Sequence, residues 1–122
     1  MGKRIMIVDD SRVVEMQMKR MLEDTGYEVV SYCQDGETAI AQYGEVLPDL
    51  VTMDIIMPGM DGLETARAIL EDHPDARIVM VSSLAYDDTI DEAKSIGTKT
   101  FIYKPLDKEQ LLATLDEVLG GE

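Results

Sequence analysis

Five short apolar segments alternate along the chain with longer stretches in which apolar residues recur at helical spacing. The apolar segments cover residues 5–8, 29–32, 50–53, 78–81 and 101–103, and their length and composition predict β-strands. Segment 29–32 alternates partly with polar residues, which predicts a strand more exposed than the others. The pattern therefore predicts strands and helices in alternation.

The intervening stretches carry helix start and stop signals. Asp35 is placed to cap the second helix, and Asp107 with Gln110 has the spacing of a capping box at the start of the last helix. Gly26 and Gly97 are expected to end the first and fourth helices, and prolines to block the second and third. The residues predicted to face the core are Val14, Met18, Met21 and Leu22; Ala39, Ile40 and Tyr43; Leu63, Ala66, Ile69 and Leu70; Ile90 and Ala93; and Leu111, Leu112, Leu115, Val118 and Leu119.

This alternation predicts the fold class. Five strands, each followed by a helix, imply right-handed crossovers and a parallel sheet covered by helices on both faces. We therefore expect a doubly wound α/β fold, with residues 1–122 forming one domain. A chain of 122 residues is long enough to bury a core without disulfide or zinc links.

Composition narrows the classes of function. The chain has 11 Lys and Arg against 25 Asp and Glu, and its net charge of −14 opposes nucleic acid and anionic membranes but not a cationic partner. The single cysteine, Cys33, cannot form an internal disulfide, which fits the reducing cytoplasm. Only four apolar residues follow Lys3 and Arg4, so no signal-peptide core is expected. No segment approaches the roughly 20 apolar residues that span a bilayer, so we expect no membrane insertion.

Charged and hydroxyl side chains follow four of the five predicted strands. In an open parallel sheet, ligands bind beyond the carboxyl ends of the strands, so these side chains are expected to meet at one edge. They are Asp9 and Asp10 after the first strand, Asp54 after the third, Ser82 and Ser83 after the fourth, and Lys104 after the fifth.

Three carboxylates at one edge need a cation. Most aspartates that follow a strand are ordinary loop residues, but Asp54 lies in the apolar stretch 51–58, where an uncompensated charge is costly. Two carboxylates about 5 Å apart repel by roughly 3 kcal/mol at an effective dielectric constant near 20. Oxygen ligands with open positions favour Mg²⁺, which together with Lys104 would balance the charges of Asp9, Asp10 and Asp54. Such a pocket suits phosphoryl transfer to one carboxylate.

Four short motifs lie at the predicted strand ends: 8–11 (VDDS), 53–62 (MDIIMPGMDG), 81–83 (VSS) and 104–105 (KP). Together they resemble the receiver domains of two-component response regulators, in particular the stand-alone, CheY-like chemotaxis type, over essentially the whole chain. The resemblance implies a flavodoxin-like sheet with the strand order 2-1-3-4-5 that is known for this family. It also implies a signalling protein that is not an enzyme and catalyses only its own phosphorylation and dephosphorylation.

The resemblance implies a role for each residue of the site. Asp54 would accept the phosphoryl group from the phosphohistidine of a histidine kinase, or from a small donor such as acetyl phosphate. Asp10 would bind Mg²⁺ directly and Asp9 through the waters of the metal, with Asp54 and the backbone carbonyl of Ile56 as further ligands. Lys104 would pair with the phosphoryl oxygens.

The resemblance also implies a switch and a route of hydrolysis. Ser82 matches the hydroxyl that moves toward the new phosphate, although Ser83 is adjacent, and Phe101 matches the aromatic residue that turns inward. Ile56 and Leu84 match positions that line the path of the hydrolytic water, and both are apolar, which predicts slow self-dephosphorylation. The implied downstream target binds the fourth helix, fifth strand and fifth helix of a monomer, with dimerisation on phosphorylation left open.

Three alternatives remain at this point. A receiver domain cut from a longer regulator with a DNA-binding or enzymatic output domain would look similar, although the end in Gly-Gly-Glu without a linker favours a stand-alone protein. An aspartyl-nucleophile phosphohydrolase would usually show Asp-x-Asp after the first strand, whereas Asp9 and Asp10 are adjacent. A flavin protein would need a phosphate-binding loop where this chain has the acidic stretch 9–12 (DDSR).

Overall fold

The computed structural model describes residues 3–83 and 86–120. The strands are parallel and lie in the order β2-β1-β3-β4-β5, so the predicted doubly wound α/β fold and its strand order are confirmed. The elements are β1 Arg4–Val8, α1 Arg12–Leu22, β2 Glu28–Cys33, α2 Gly36–Val46, β3 Leu50–Asp54, α3 Gly62–Asp72, β4 Ile78–Ser82, α4 Asp87–Ile96, β5 Thr100–Tyr103, α5 Lys108–Leu115 and a π-helical turn Asp116–Gly120.

Two apolar cores lie on opposite faces of the sheet, because side chains alternate along each strand. Ile5 and Ile7 of β1 belong to the core covered by α1 and α5, which also contains Met18, Leu22, Leu111 and Leu115. Met6 and Val8 belong to the core covered by α2, α3 and α4, which also contains Ala39, Tyr43, Leu63, Ala66, Ile69 and Ala93. The helices are thus divided two and three between the faces.

Burial follows the position of each strand in the sheet. Strands β3 and β4 are buried along their whole length, and β1 is exposed only at Arg4. Strand β2 lies at one edge and is mostly half-buried, as its mixed sequence predicts. Among the described residues, no helix is long and apolar enough to cross a lipid bilayer.

Aspartate caps start three of the helices near the carboxyl ends of the strands. The Asp35 carboxylate accepts a hydrogen bond from a backbone N–H in the first turn of α2, and that of Asp107 accepts one from the Gln110 N–H at 3.0 Å. A reciprocal capping box starts α3: the Asp61 carboxylate accepts from the Glu64 N–H at 2.8 Å, and the Glu64 carboxylate accepts from the Asp61 N–H at 3.0 Å.

Helix α1 ends earlier than the sequence predicts. The hydroxyl of Thr25 donates to the carbonyl of Leu22 at 2.6 Å, so a side chain satisfies that carbonyl in the last turn. The backbone is left-handed at Asp24, with φ of 60°, and again at Gly26, with φ of 90°. The helix therefore stops at Leu22, and Gly26 belongs to the turn that follows.

The sequence predicts that the last helix is regular through Leu119, but in the structure it is not. It is α-helical through Leu115 and then widens into the π-helical turn, where Val118 and Leu119 are only half-buried. Asp116, at the junction, accepts a hydrogen bond from the hydroxyl of Tyr27, which precedes β2. This hydrogen bond connects the π-helical turn with the residue that immediately precedes β2.

Candidate functional site

Three carboxylates meet at the carboxyl edge of the sheet. Asp54 is the last residue of β3, and Asp9 and Asp10 follow β1, which pairs directly with β3. One oxygen from each carboxylate lies within 4.8 Å of the others. Asp9 and Asp54 are buried, whereas Asp10 is exposed. The cluster is thus open to solvent on the Asp10 side.

Lys104 joins the two buried carboxylates from the end of β5. Its Nζ lies 3.0 Å from Oδ2 of Asp9 and 3.4 Å from Oδ1 of Asp54. The other oxygen of Asp9, Oδ1, accepts a hydrogen bond from the backbone N–H of Ser11 at 2.9 Å. Ser11 is also the N-cap of α1, so the same residue orients the Asp9 carboxylate and caps the first helix.

The pKa values follow from this crowding. Burial and then the charge of Asp9 raise the pKa of Asp54 to about 6, although Lys104 acts in the opposite direction. Burial alone would lower the pKa of Lys104, but the hydrogen bonds and charges of Asp9 and Asp54 outweigh it and raise this pKa. One lysine therefore does not fully compensate the carboxylates, and the cluster favours a further cation.

The donor set fits a magnesium ion. Three carboxylate oxygens that share one open site are hard ligands, and Mg²⁺ commonly binds through one or two carboxylates while it keeps several waters. Asp9, Asp10 and Asp54 would hold the metal. Its two positive charges with that of Lys104 match the three negative charges of the carboxylates.

The other predicted site residues differ in burial. Ser82 ends β4 and is 1% exposed, whereas its neighbour Ser83 is exposed, so Ser82 is the buried hydroxyl position of the pair. Ile56, two residues beyond Asp54, is 56% exposed. Leu84 lies outside the described residues.

Phe101 packs against the core and is not among the residues that contact the carboxylates in the described structure. It lies on the edge strand β5, is half-buried, and packs against the core that α4 helps to cover. Its ring centroid is 5.2 Å from that of Tyr103, which is 42% exposed. The two rings thus form a pair that extends from the core to the surface.

The sequence model of the response regulator receiver domain matches residues 5–116, which is most of the chain. The chain belongs to the response regulator receiver domain family. This agrees with the resemblance of the four strand-end motifs.

Relatives of this receiver domain include stand-alone chemotaxis proteins. The chain is 37% identical to the chemotaxis protein CheY of Thermotoga maritima, over 97% of this chain and 98% of that protein. It is 39% identical to CheY of Bacillus subtilis, over 98% of this chain and 100% of that protein. Both alignments cover nearly whole proteins, which accords with the stand-alone type.

Solved structures agree with the fold. CheY in the CheX–CheY–BeF3–Mg²⁺ complex from Borrelia burgdorferi has a TM-score of 0.91 and 34% identity, and the match covers 94% of this chain and 87% of that one. A LuxR-family response regulator from Aurantimonas has a TM-score of 0.90 and 32% identity, with 95% and 84% covered. The fold is therefore shared with the receiver domains of other classes of regulator.

Two features of the structure, one beside Asp54 and one on α1, were not anticipated from the sequence. A Cβ added to Gly62 would lie 2.0 Å from the carbonyl oxygen of Asp54, so α3 can begin against the end of β3 only with glycine there. Glu15 of α1 is 4% exposed and forms a 2.6 Å ion pair with the exposed Lys19. The pair Asp61-Gly62 signals a helix start, but the close approach of two backbones has no sequence signature of its own.

Proposed function

We propose that residues 1–122 form one receiver domain that works as a phosphorylation-operated switch, with Asp54 as the phosphoacceptor. One observation carries this proposal: a buried carboxylate at the end of β3 faces two further carboxylates and a lysine ammonium in one cluster. The partner that supplies the phosphoryl group is a histidine kinase, as in two-component systems.

The chemistry requires little beyond positioning and charge. An oxygen of the ionised Asp54 attacks the phosphorus of the phosphohistidine; a P–O bond forms as the P–N bond breaks, and the imidazole leaves. The carboxylate has no proton to lose, so no general base is needed. Lys104 pairs with the phosphoryl oxygens from its position 3.4 Å from Asp54. Asp9, Asp10, Asp54 and the backbone carbonyl of Ile56 would hold Mg²⁺, which would supply the remaining neutralisation of charge.

The switch that reads the new phosphate uses Ser82 and Phe101. Ser82 is buried at the end of β4, next to β5, and its hydroxyl moves toward the phosphoryl group. Phe101 then turns inward, and the surface formed by α4, β5 and α5 changes its affinity for a downstream target. The exposed Tyr103 on the same strand supports a binding role for this surface.

Hydrolysis of the acyl phosphate is slow in this proposal, because the side chains of Ile56 and Leu84 have no polar atoms with which to orient an attacking water. A partner protein, or return of the phosphoryl group to the kinase, would then end the signal. The complex of Borrelia CheY with CheX supports the idea that receivers of this type bind partner proteins.

The names of the CheY relatives support chemotaxis as the pathway. The proposed protein is cytoplasmic and catalyses only its own phosphorylation and dephosphorylation. The test is the intact mass after incubation with acetyl phosphate, with and without Mg²⁺. We expect the gain of one phosphoryl group only with Mg²⁺, and no gain for Asp54→Asn. Asp61→Asn is the matched control, because Asp61 caps α3 outside the cluster, and it should still be phosphorylated.

Two results would contradict the proposal. Phosphorylation that persists in Asp54→Asn would place the acceptor elsewhere. Repeated turnover of acetyl phosphate without a lasting adduct would instead favour an aspartyl-nucleophile phosphohydrolase.

A further inference from the structure

The segment between β3 and α3, residues 55–61, is anchored near its start by the first residue of α3. The backbone N–H of Gly62 donates to the carbonyl of Ile55 at 2.7 Å. Ile55 and Met57 are buried in the core, whereas Ile56 between them is 56% exposed. The side chain of Ile56 therefore does little to fix its own backbone, whose position depends on the anchors at the two ends of the segment.

The other end of this segment is held by Thr65 in the first turn of α3. The hydroxyl of Thr65 donates to the backbone carbonyl of Asp61 at 2.8 Å, and the backbone N–H of Thr65 donates to the same carbonyl at 3.0 Å. Thr65 is fully buried, so solvent water does not compete for its hydroxyl. The orientation of this one side chain thus bears directly on the point at which the segment joins α3.

Gly36, the first residue of α2, leaves the space that the Thr65 hydroxyl occupies. A Cβ at Gly36 would lie 2.1 Å from Oγ1 of Thr65 and 3.2 Å from Sδ of Met60. The backbone of Gly36 is helical, so glycine is required here for space and not for an unusual φ. An added methyl group would turn the Thr65 side chain away from Asp61 or move α2 away from α3. Gly44 of the same helix has nothing within 4 Å of its Cβ position.

We propose that Gly36 is a positioning residue for the magnesium site, an inference that rests on the proposed function, in which the backbone carbonyl of Ile56 binds the metal. The close contact of Gly36 with Thr65 and Met60 holds residues 55–61 in the position from which that carbonyl would act as a ligand. Helix α2 supplies none of the three carboxylates, so it acts on the metal through packing alone. Groups that support a metal ligand from outside typically contribute about 10–100-fold to metal affinity.

The test compares Gly36→Ala with the matched control Gly44→Ala in the full chain labelled with ¹³C and ¹⁵N. We expect Gly36→Ala to raise the dissociation constant for Mg²⁺ at least about tenfold, and Gly44→Ala to leave it unchanged. At saturating Mg²⁺ the ¹³C signal of the Ile56 carbonyl should shift less in Gly36→Ala than in the wild type. Phosphorylation of Gly36→Ala by acetyl phosphate should be slow at limiting Mg²⁺ and largely restored by excess Mg²⁺, because the carboxylates are unchanged.

Substitutions at Thr65 separate this packing contact from general destabilisation, and they carry the test if Gly36→Ala does not fold. Thr65→Ala removes the hydrogen bond to Asp61 and should also raise the dissociation constant for Mg²⁺. The conservative variant Thr65→Ser keeps the hydroxyl and should retain most of the affinity. In the Thr65→Ala background the new Cβ of Gly36→Ala no longer meets Oγ1, so it should weaken Mg²⁺ binding further by less than about twofold.

Several outcomes would overturn the proposal. If Gly36→Ala lowers the free energy of unfolding in EDTA but binds Mg²⁺ as tightly as the wild type, Gly36 serves only the fold. Equal Mg²⁺ affinities of Thr65→Ala and Thr65→Ser, or independent effects of Gly36→Ala and Thr65→Ala, would exclude the hydroxyl contact as the cause. Each of these results leaves the proposed function intact as long as the wild type binds Mg²⁺ and is phosphorylated. A wild type that binds no Mg²⁺ would overturn the proposed function and this proposal together.

Discussion

Replacing Asp54 with Asn should stabilise the metal-free protein at neutral pH. Asp54 is 5% exposed, and burial together with the charge of Asp9 raises its pKa from 3.8 to about 6, despite Lys104. The folded protein therefore binds this proton more tightly than the unfolded chain does. Ionisation of Asp54 then costs folding free energy, and asparagine keeps the shape without the charge.

The expected gain in unfolding free energy follows from the raised pKa of Asp54. About two pKa units correspond to about 3 kcal/mol, and the loss of the contact with Lys104 reduces the net gain, so we expect about 1–3 kcal/mol at about pH 7.5. The difference in unfolding free energy between Asp54→Asn and the wild type should be absent below about pH 4, where the carboxyl is protonated in the folded and the unfolded protein. It should grow up to about pH 6 and stay constant above that pH. Mg²⁺ at a hundred times its Kd should stabilise the wild type by about 2.7 kcal/mol and the variant by less.

The assay is urea unfolding followed by far-ultraviolet circular dichroism, in EDTA and in Mg²⁺, across this pH range. Asp10→Asn is the control, since it removes the same charge from an exposed position of the same cluster and should have a smaller effect. A variant of Asp54 that is less stable than the wild type in EDTA at neutral pH, or a difference that does not change with pH, would refute the reasoning.

Four further substitutions test single features. Gly62→Ala should lose more than about 2 kcal/mol of unfolding free energy, because its Cβ would lie 2.0 Å from a carbonyl oxygen at the end of β3. Gly44→Ala in α2 should gain about 0.5–1 kcal/mol, because nothing lies within 4 Å; urea unfolding measures both, and equal effects would contradict the packing argument. Tyr27→Phe should lose about 1–2 kcal/mol with its hydrogen bond to Asp116, and an unchanged unfolding midpoint would argue against that bond. Ile56→Asn should shorten the lifetime of the acyl phosphate, measured by loss of the adduct mass. An unchanged lifetime would count against the proposal that the apolar side chain of Ile56 keeps hydrolysis slow.

The alternation of apolar segments was sufficient to predict the five strands and the layered fold, because burial on both faces of a parallel sheet leaves a strong periodic signal. The caps at Asp35 and Asp107 were predictable because they depend on residues three apart. The end of α1 was not predictable, since it depends on which backbone carbonyl accepts the hydrogen bond from the hydroxyl of Thr25. The π-helical turn after Leu115 likewise has no local sequence signal.

The site was predictable to the extent that it follows strand ends. Asp9, Asp10, Asp54 and Lys104 come together because parallel strands bring their carboxyl ends to one edge. The backbone N–H of Ser11 that orients Asp9 was not predictable, because every residue has such a group and only the turn after β1 directs this one. The distances that divide Lys104 between two carboxylates also depend on the assembled sheet.

A short hydrogen-bonded route connects the carboxylate cluster with the surface formed by α4, β5 and α5. The backbone N–H of Lys104 donates to the carbonyl of Ser82 at 2.9 Å, so the two residues that would draw toward a phosphoryl group on Asp54 are joined directly. Tyr103 pairs with Ser82 in the β4–β5 register, and its exposed ring contacts Phe101. We infer that a movement of Ser82 and Lys104 shifts β5 through its hydrogen bonds to β4 and so displaces the aromatic pair on β5. An edge strand can shift in this way at lower cost than the buried central strands, because it has one hydrogen-bonded neighbour instead of two.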